Sequence, residues 1–204
     1  MLKLRNKTLL AIGVIGVNLA AVSLPFVAHA DTQTSQTTVQ LQVNPVIISY
    51  SSGPTVTLGA ITPTGAGKQS TGSDTVSANT NDTGGLTITM QENSATTTSM
   101  VAGSNNIATG AGTTASPVAL ANNTWGWRMD TVAGFGSGPT STLSNAAPSA
   151  LTYAGIPANG SPYTINTTST NGSTSSTVWY SARVDNTQPI GNYSTVVLYT
   201  ITTN

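Results

Sequence analysis

In "TVWYSARV", Val178, Tyr180, Ala182 and Val184 occupy every second position, with Trp179 and Arg183 between them. A period of two is the period of an extended strand, whose successive side chains point to opposite faces. The same period returns in "GLTITMQ", through Leu86, Ile88 and Met90, and in "NYSTVVLYTITT", through Tyr193, Thr195, Val197, Tyr199 and Ile201. "TVQLQVNPVIISY" aligns Val39, Leu41 and Val43, then Val46, Ile48 and Tyr50 beyond Pro45. "TVTLGAI" offers Val56 and Leu58, and "YTINTT" is a shorter candidate. After residue 30 no stretch carries a helical period. Many short strands separated by Gly, Pro and Asn predict an all-β fold: a single antiparallel β-sandwich, Ig-like or jelly-roll-like, over residues 31–204. "TPTGAGKQSTGSD" and "NDTGG" read as turn-rich connections, and 93–123 and 132–150 as long Thr/Ser/Gly-rich loops. The closing strand is apolar on its second face too, at Val196 and Leu198. That predicts either a central strand or a face that meets a partner, and a pilin-like exchange of a strand between subunits stays open.

Residues 1–30 have the layout of a secretory signal peptide: Lys3, Arg5 and Lys7, an apolar run, then Ala28-His29-Ala30. The alternative is an uncleaved anchor, but Asn18, Ser23 and Pro25 interrupt the run. Cleavage after Ala30 would remove three of the six basic residues and the single histidine. Lys68, Arg128 and Arg183 then face six acidic residues, for a formal charge of −3. With no basic patch to neutralise phosphates, nucleic acid is not an expected partner. Cysteine is absent, so packing and backbone pairing must hold the fold without disulfides. No LPxTG-like motif precedes Asn204 and no cysteine follows the leader, so retention at a surface is expected to be non-covalent, with no membrane contact after cleavage.

"NNTWGWRMDT", residues 122–131, concentrates large side chains in a chain of mostly small ones. Trp125, Trp127 and Met129 share one strand face, and Gly126, Arg128 and Asp130 the other. The tryptophans read either as core filling or as a platform on which a sugar ring stacks. Arg128 and Asp130 read as an exposed pair of little energetic consequence. Without His or Cys in the exported chain, Ser-His-Asp and Cys-His catalysis is excluded, as are zinc sites built on those ligands. A carboxylate pair drawn from Asp74, Asp82, Glu92, Asp130 and Asp185 could in principle cleave glycosides, yet nothing in their contexts groups them. Asn79, Asn81 and Asp82 offer oxygens at loop spacing for calcium, short of a full ligand set. Lys68, in a glycine-rich loop, is a poor candidate for an isopeptide bond. No cofactor is expected, and the chain is expected not to be an enzyme.

The order of features resembles the WxL-type cell-surface domains of Gram-positive bacteria. The correspondence lies in Gly191, Tyr193, Val197, Tyr199 and Ile201 of "GNYSTVVLYTI" and in Leu86-Thr87-Ile88 of "GLTITM". Tyr199 and Leu86 stand where that family carries tryptophan. The resemblance implies non-covalent attachment to the cell wall, with peptidoglycan or another surface glycan as partner, or neighbouring surface proteins including further copies of the chain. Trp125, Trp127, Trp179, Tyr193 and Tyr199 are the candidate wall or glycan contacts. The alternative is a soluble secreted carbohydrate-binding module using the tryptophans.

Overall fold

The computed structural model describes residues 38, 40–53, 55–132 and 134–204. The expected leader and Val39 lie outside the described residues. The chain divides into two compact units between Leu41 and Gln42, and the strands belong to the second, Gln42–Asn204. They are β1 (Ile47–Ser51), β2 (Lys68–Thr80), β3 (Leu86–Glu92), β4 (Met100–Ala102), β5 (Asn105–Thr109), β6 (Val118–Ala119), β7 (Thr124–Arg128), β8 (Leu143–Ala146), β9 (Thr152–Tyr153), β10 (Tyr163–Thr167), β11 (Gly172–Val184) and β12 (Val197–Thr203). No helix occurs among the described residues, and the fold is all-β.

The largest sheet has the order β1-β2-β11-β7-β5-β4, with β8 also on β2; a second has the order β10-β3-β12, and β6 pairs with β9. The ladders are antiparallel except β5 on β7, which is parallel. A bridge between Val101 and Ser194 ties β4 to the residues just before β12, so the two larger sheets touch there.

The backbone of the fold is the ladder of β2 on β11, unbroken from Lys68 opposite Val184 to Thr80 opposite Gly172. One face of this pair is apolar, through Val76, Ala78, Val178, Tyr180, Ala182 and Val184. The other carries hydroxyl pairs, Thr75 with Thr177 at 3.3 Å and Ser77 with Ser175 at 3.1 Å. Towards Gln69 that second face is also covered. The buried Gln69 amide donates to Ser181 Oγ at 2.9 Å and Tyr153 OH at 3.2 Å, and its carbonyl accepts Ser149 N–H at 2.9 Å. Such satisfaction is what allows an amide to be buried. The core lies between the apolar face of β2–β11 and Leu86, Ile88, Met90 and Ile165, with Trp125, Trp127 and Met129 inside it. Each aliphatic side chain so buried contributes about 1.5–3 kcal/mol.

Several expectations are corrected. "KQSTGSD", read as turn, forms half of β2, because its polar residues are satisfied across the ladder and beneath Tyr153 and Ser149. Lys68 therefore begins a strand and does not sit in a loop. "TVTLGAI" forms no strand: Val56 and Leu58 lie over β2 at Gly72, where a Cβ would stand 2.9 Å from Val56 Cγ1. The stretch before Pro45 is not a strand either, and Leu41 and Val43 are 88% and 71% exposed. The two long loops contain β4, β5, β6 and β8. β12 begins at Val197, four residues after Tyr193, and is an edge of its sheet where a central position was one expectation.

Candidate binding groove

Tyr180 stands in the middle of the apolar face of β11, opposite Gly72. The bare backbone at Gly72 admits Val56 and Leu58 from above, and these residues become one wall of a groove of about 560 Å³. Tyr193–Val197, Tyr199, Asp74, Met100, Trp125 and Tyr180 complete most of its lining.

Hydrogen bonds fix Tyr180, Tyr199, Tyr193, Asp74 and Thr195 in the groove. The Tyr180 and Tyr199 hydroxyls share a hydrogen bond of 2.5 Å, and Tyr180 OH also donates to Met90 Sδ at 3.4 Å. Burial pushes both phenols above their ordinary range, so each stays protonated as a hydrogen-bonding group. Tyr193 OH donates to the Pro189 carbonyl at 2.6 Å and accepts from Gln188 Nε2 at 2.8 Å. Asp74, nearly buried, accepts Gly53 N–H at 2.6 Å. Thr195 Oγ1 donates to Glu92 Oε1 at 2.8 Å, and the buried Glu92 Oε2 has no partner.

The predicted contact residues separate. Trp125, Tyr193 and Tyr199 line the groove. Trp127 does not: it is 0% exposed, edge-to-face with Phe135 and tilted against Tyr163, and its indole donates to the Gly155 carbonyl. Trp125 is 2% exposed and donates to the Thr98 carbonyl at 2.9 Å, so it offers no flat face. The sugar-platform reading is therefore corrected at both positions: these rings fill the core because β7 lies between β11 and β5. Trp179, half-buried, is on the opposite face of β11, paired across the ladder with Arg128. Sequence reasoning does not single out Tyr180, Asp74, Val56 or Leu58 as groove residues, although the alternation in "TVWYSARV" and "TVTLGAI" marks Tyr180, Val56 and Leu58 as sharing strand faces.

Arg128 is a further correction. The expected surface pair is a fully buried guanidinium that donates to the carbonyls of Phe135 (2.8 Å), Gly136 (2.6 Å) and Thr152 (3.3 Å). It lies 5.9 and 5.8 Å from the Phe135 and Tyr153 ring centroids. Asp130, half-exposed, is 3.8 Å away. Burial pulls the guanidinium below its usual value, and Tyr153 and Asp130 oppose that.

The proposed calcium oxygens are occupied by the chain itself. Asn81 Oδ1 accepts Val46 N–H at 2.7 Å, and Asp82 Oδ1 accepts Gly84 N–H at 2.8 Å. Asp185 is held to about 2 by hydrogen bonds from Thr187, then Asn123, and ties the turn before β7 to the one after β11. No group of three acidic, His or Cys side chains suited to a metal occurs among the described residues. The groove is thus lined by aromatic, aliphatic and hydroxyl side chains, and several of its polar atoms are engaged by the chain itself. Compared with known proteins, the chain matches no family model, no curated protein and no solved structure.

Proposed function

We infer that the chain is an exported, non-enzymatic protein of a bacterial cell surface, a β-sandwich held there by non-covalent contact with the wall or with its neighbours. The observation that carries this reading is the groove beside β12. It combines Tyr193, Tyr199, Val56 and Leu58 with Val196, which is 61% exposed, and Leu198 adds a further exposed aliphatic side chain on the other face of β12. Clustered apolar exposure of this kind marks interaction surfaces. The leader-like first thirty residues and the resemblance of "GNYSTVVLYTI" to WxL-type domains point the same way. The sandwich reading is supported by the core lying between the β2–β11 face and β3.

The test is sedimentation of the purified exported protein with and without insoluble peptidoglycan, at low and high salt. Salt-insensitive pelleting with the wall, or pelleting by itself, is expected. Protein that stays in the supernatant throughout would overturn surface attachment. A second reading, a soluble carbohydrate-binding module, draws on Tyr193 and Tyr199 sharing one groove, with Trp125 buried beneath them as a reporter and not a contact. It requires soluble glycans to blue-shift tryptophan emission.

A further inference from the structure

We propose that the groove receives the segment Gln40–Asn44 of a second copy of this chain as an added strand along β12. This deepens the surface reading above and rests on it.

The acceptor is an unpaired edge, with β1 packed near it. β12 pairs on one side with β3, in register throughout, and among the described residues no strand pairs with its other side. Sheet edges are ordinarily defended by charge, proline, bulges or brevity. β12 has seven residues, VLYTITT, with neither charge nor proline, and its ladder has no bulge. The groove opens beside this edge at Val196, Val197 and Tyr199. Strand addition at such an edge supplies backbone hydrogen bonds, with alternate side chains entering pockets.

The donor is a strand sequence without a sheet. Gln40–Asn44 reads QLQVN, apolar at alternate positions, and Leu41 and Val43 are the most exposed aliphatic side chains of the region, at 88% and 71%. Laid beside β12, Leu41 and Val43 turn together into the groove and the glutamines turn out. The segment is uncharged, and the groove's one carboxylate is already engaged by Gly53 N–H.

A second copy fits better than the segment's own chain. Val46 is pinned at the Thr80–Asn81 end of β2: its N–H goes to Asn81 Oδ1, and its carbonyl accepts from Asn81 N and Thr80 Oγ1. Asn81 Nδ2 also holds the Asn44 carbonyl. β1 then runs from Thr80 toward Ser77, and the groove lies beyond it, at Asp74. The far end of β12, at Thr203 and Asn204 beside Gly85, comes back toward these pinned residues, but the chain enters β1 heading toward Ser77, so the donor would have to reverse direction at its pinned residues to reach its own groove. Because donor and acceptor are different surfaces, the contact is heterologous and propagates head to tail.

The chain has no native cysteine, so Val43→Cys with Val196→Cys gives a clean cross-link. Under oxidation the purified exported protein is expected to form a ladder of disulfide-linked oligomers. A purely intramolecular disulfide, or none, would overturn the proposal. Independently, Leu41→Asp/Val43→Asp and Val196→Asp are each expected to stop growth by light scattering, and their equimolar mixture to form dimers alone, since the only other pairing sets like charges together. Variants that assemble like the parent also overturn it. Peptidoglycan binding by a parent that forms no ladder would reject strand transfer and leave surface attachment standing. A ladder without peptidoglycan binding, in protein that also fails to pellet by itself, would retain strand transfer and reject attachment.

Discussion

Arg128 shows how one residue can reverse the reading of its neighbourhood. Its charge is stabilised less by Asp130, 3.8 Å away and half in solvent, than by three backbone carbonyls from the segments that fold over β7. A guanidinium can serve several carbonyls at fixed angles, and an ammonium cannot. Arg128→Lys should therefore cost about 3 kcal/mol, since hydrogen bonds to a charged donor are lost and buried carbonyls are left unpaired. Asp130→Asn should cost about 0.5 kcal/mol or less, as for other exposed pairs. Urea unfolding of both variants checks this, and equal losses would show that the ion pair, not the carbonyl fork, holds the site. Gly126, two residues before Arg128, is constrained differently: a Cβ there would run into the Ala154 carbonyl oxygen, so the Trp-Gly-Trp spacing is required by the close approach of the Tyr153–Ala154 backbone.

At the scale of elements, the Tyr180–Tyr199 hydrogen bond joins β11 of the large sheet to β12 of the small one. Both phenols are raised above their ordinary value of 10, chiefly by burial. A raised folded-state value means that this contribution is fully present below pH 10 and is lost as pH climbs above it, because the unfolded chain ionises first. Unfolding free energy should thus fall above pH 10, and a Tyr180→Phe/Tyr199→Phe variant should show a shallower alkaline limb; parallel limbs would refute the coupling. What the sequence made legible follows the same physics. β3 and β11 were readable because their inner faces, Leu86-Ile88-Met90 and Val178-Tyr180-Ala182-Val184, alternate cleanly. β2 was not, because Gln69, Ser70 and Thr71 are buried by hydrogen bonding and not by apolar character. Of the groove, Trp125, Tyr193 and Tyr199 were singled out, but Asp74, Val56 and Leu58 come to it through the placement of β2 and the chain above Gly72, which no local pattern encodes.

For the whole molecule, the decisive fact is how far apart in sequence the partners lie. β2 pairs with β11 from Lys68 opposite Val184 to Thr80 opposite Gly172, and β3 is flanked by β10 and β12. Both long strands of the first half thus find their principal partners after residue 160. Loop closure must be completed before such contacts stabilise anything, which places the protein among slow, high-contact-order folders with refolding on the order of a second or longer. It also means that neither half holds a core: Val76, Ile88 and Met90 are buried against Val178, Tyr180 and Ile165. A fragment of residues 42–150 retains β2, β3 and β7 but none of β10, β11 or β12. It should therefore remain unfolded, with no strand signal in far-UV circular dichroism and collapsed amide dispersion by NMR. Adding residues 151–204 as a separate chain should restore both, since the missing ladders need contact and not continuity. A fragment with native-like dispersion by itself would show that the β1–β2 and β2–β8 ladders, which the fragment keeps, suffice to hold β2 without β11.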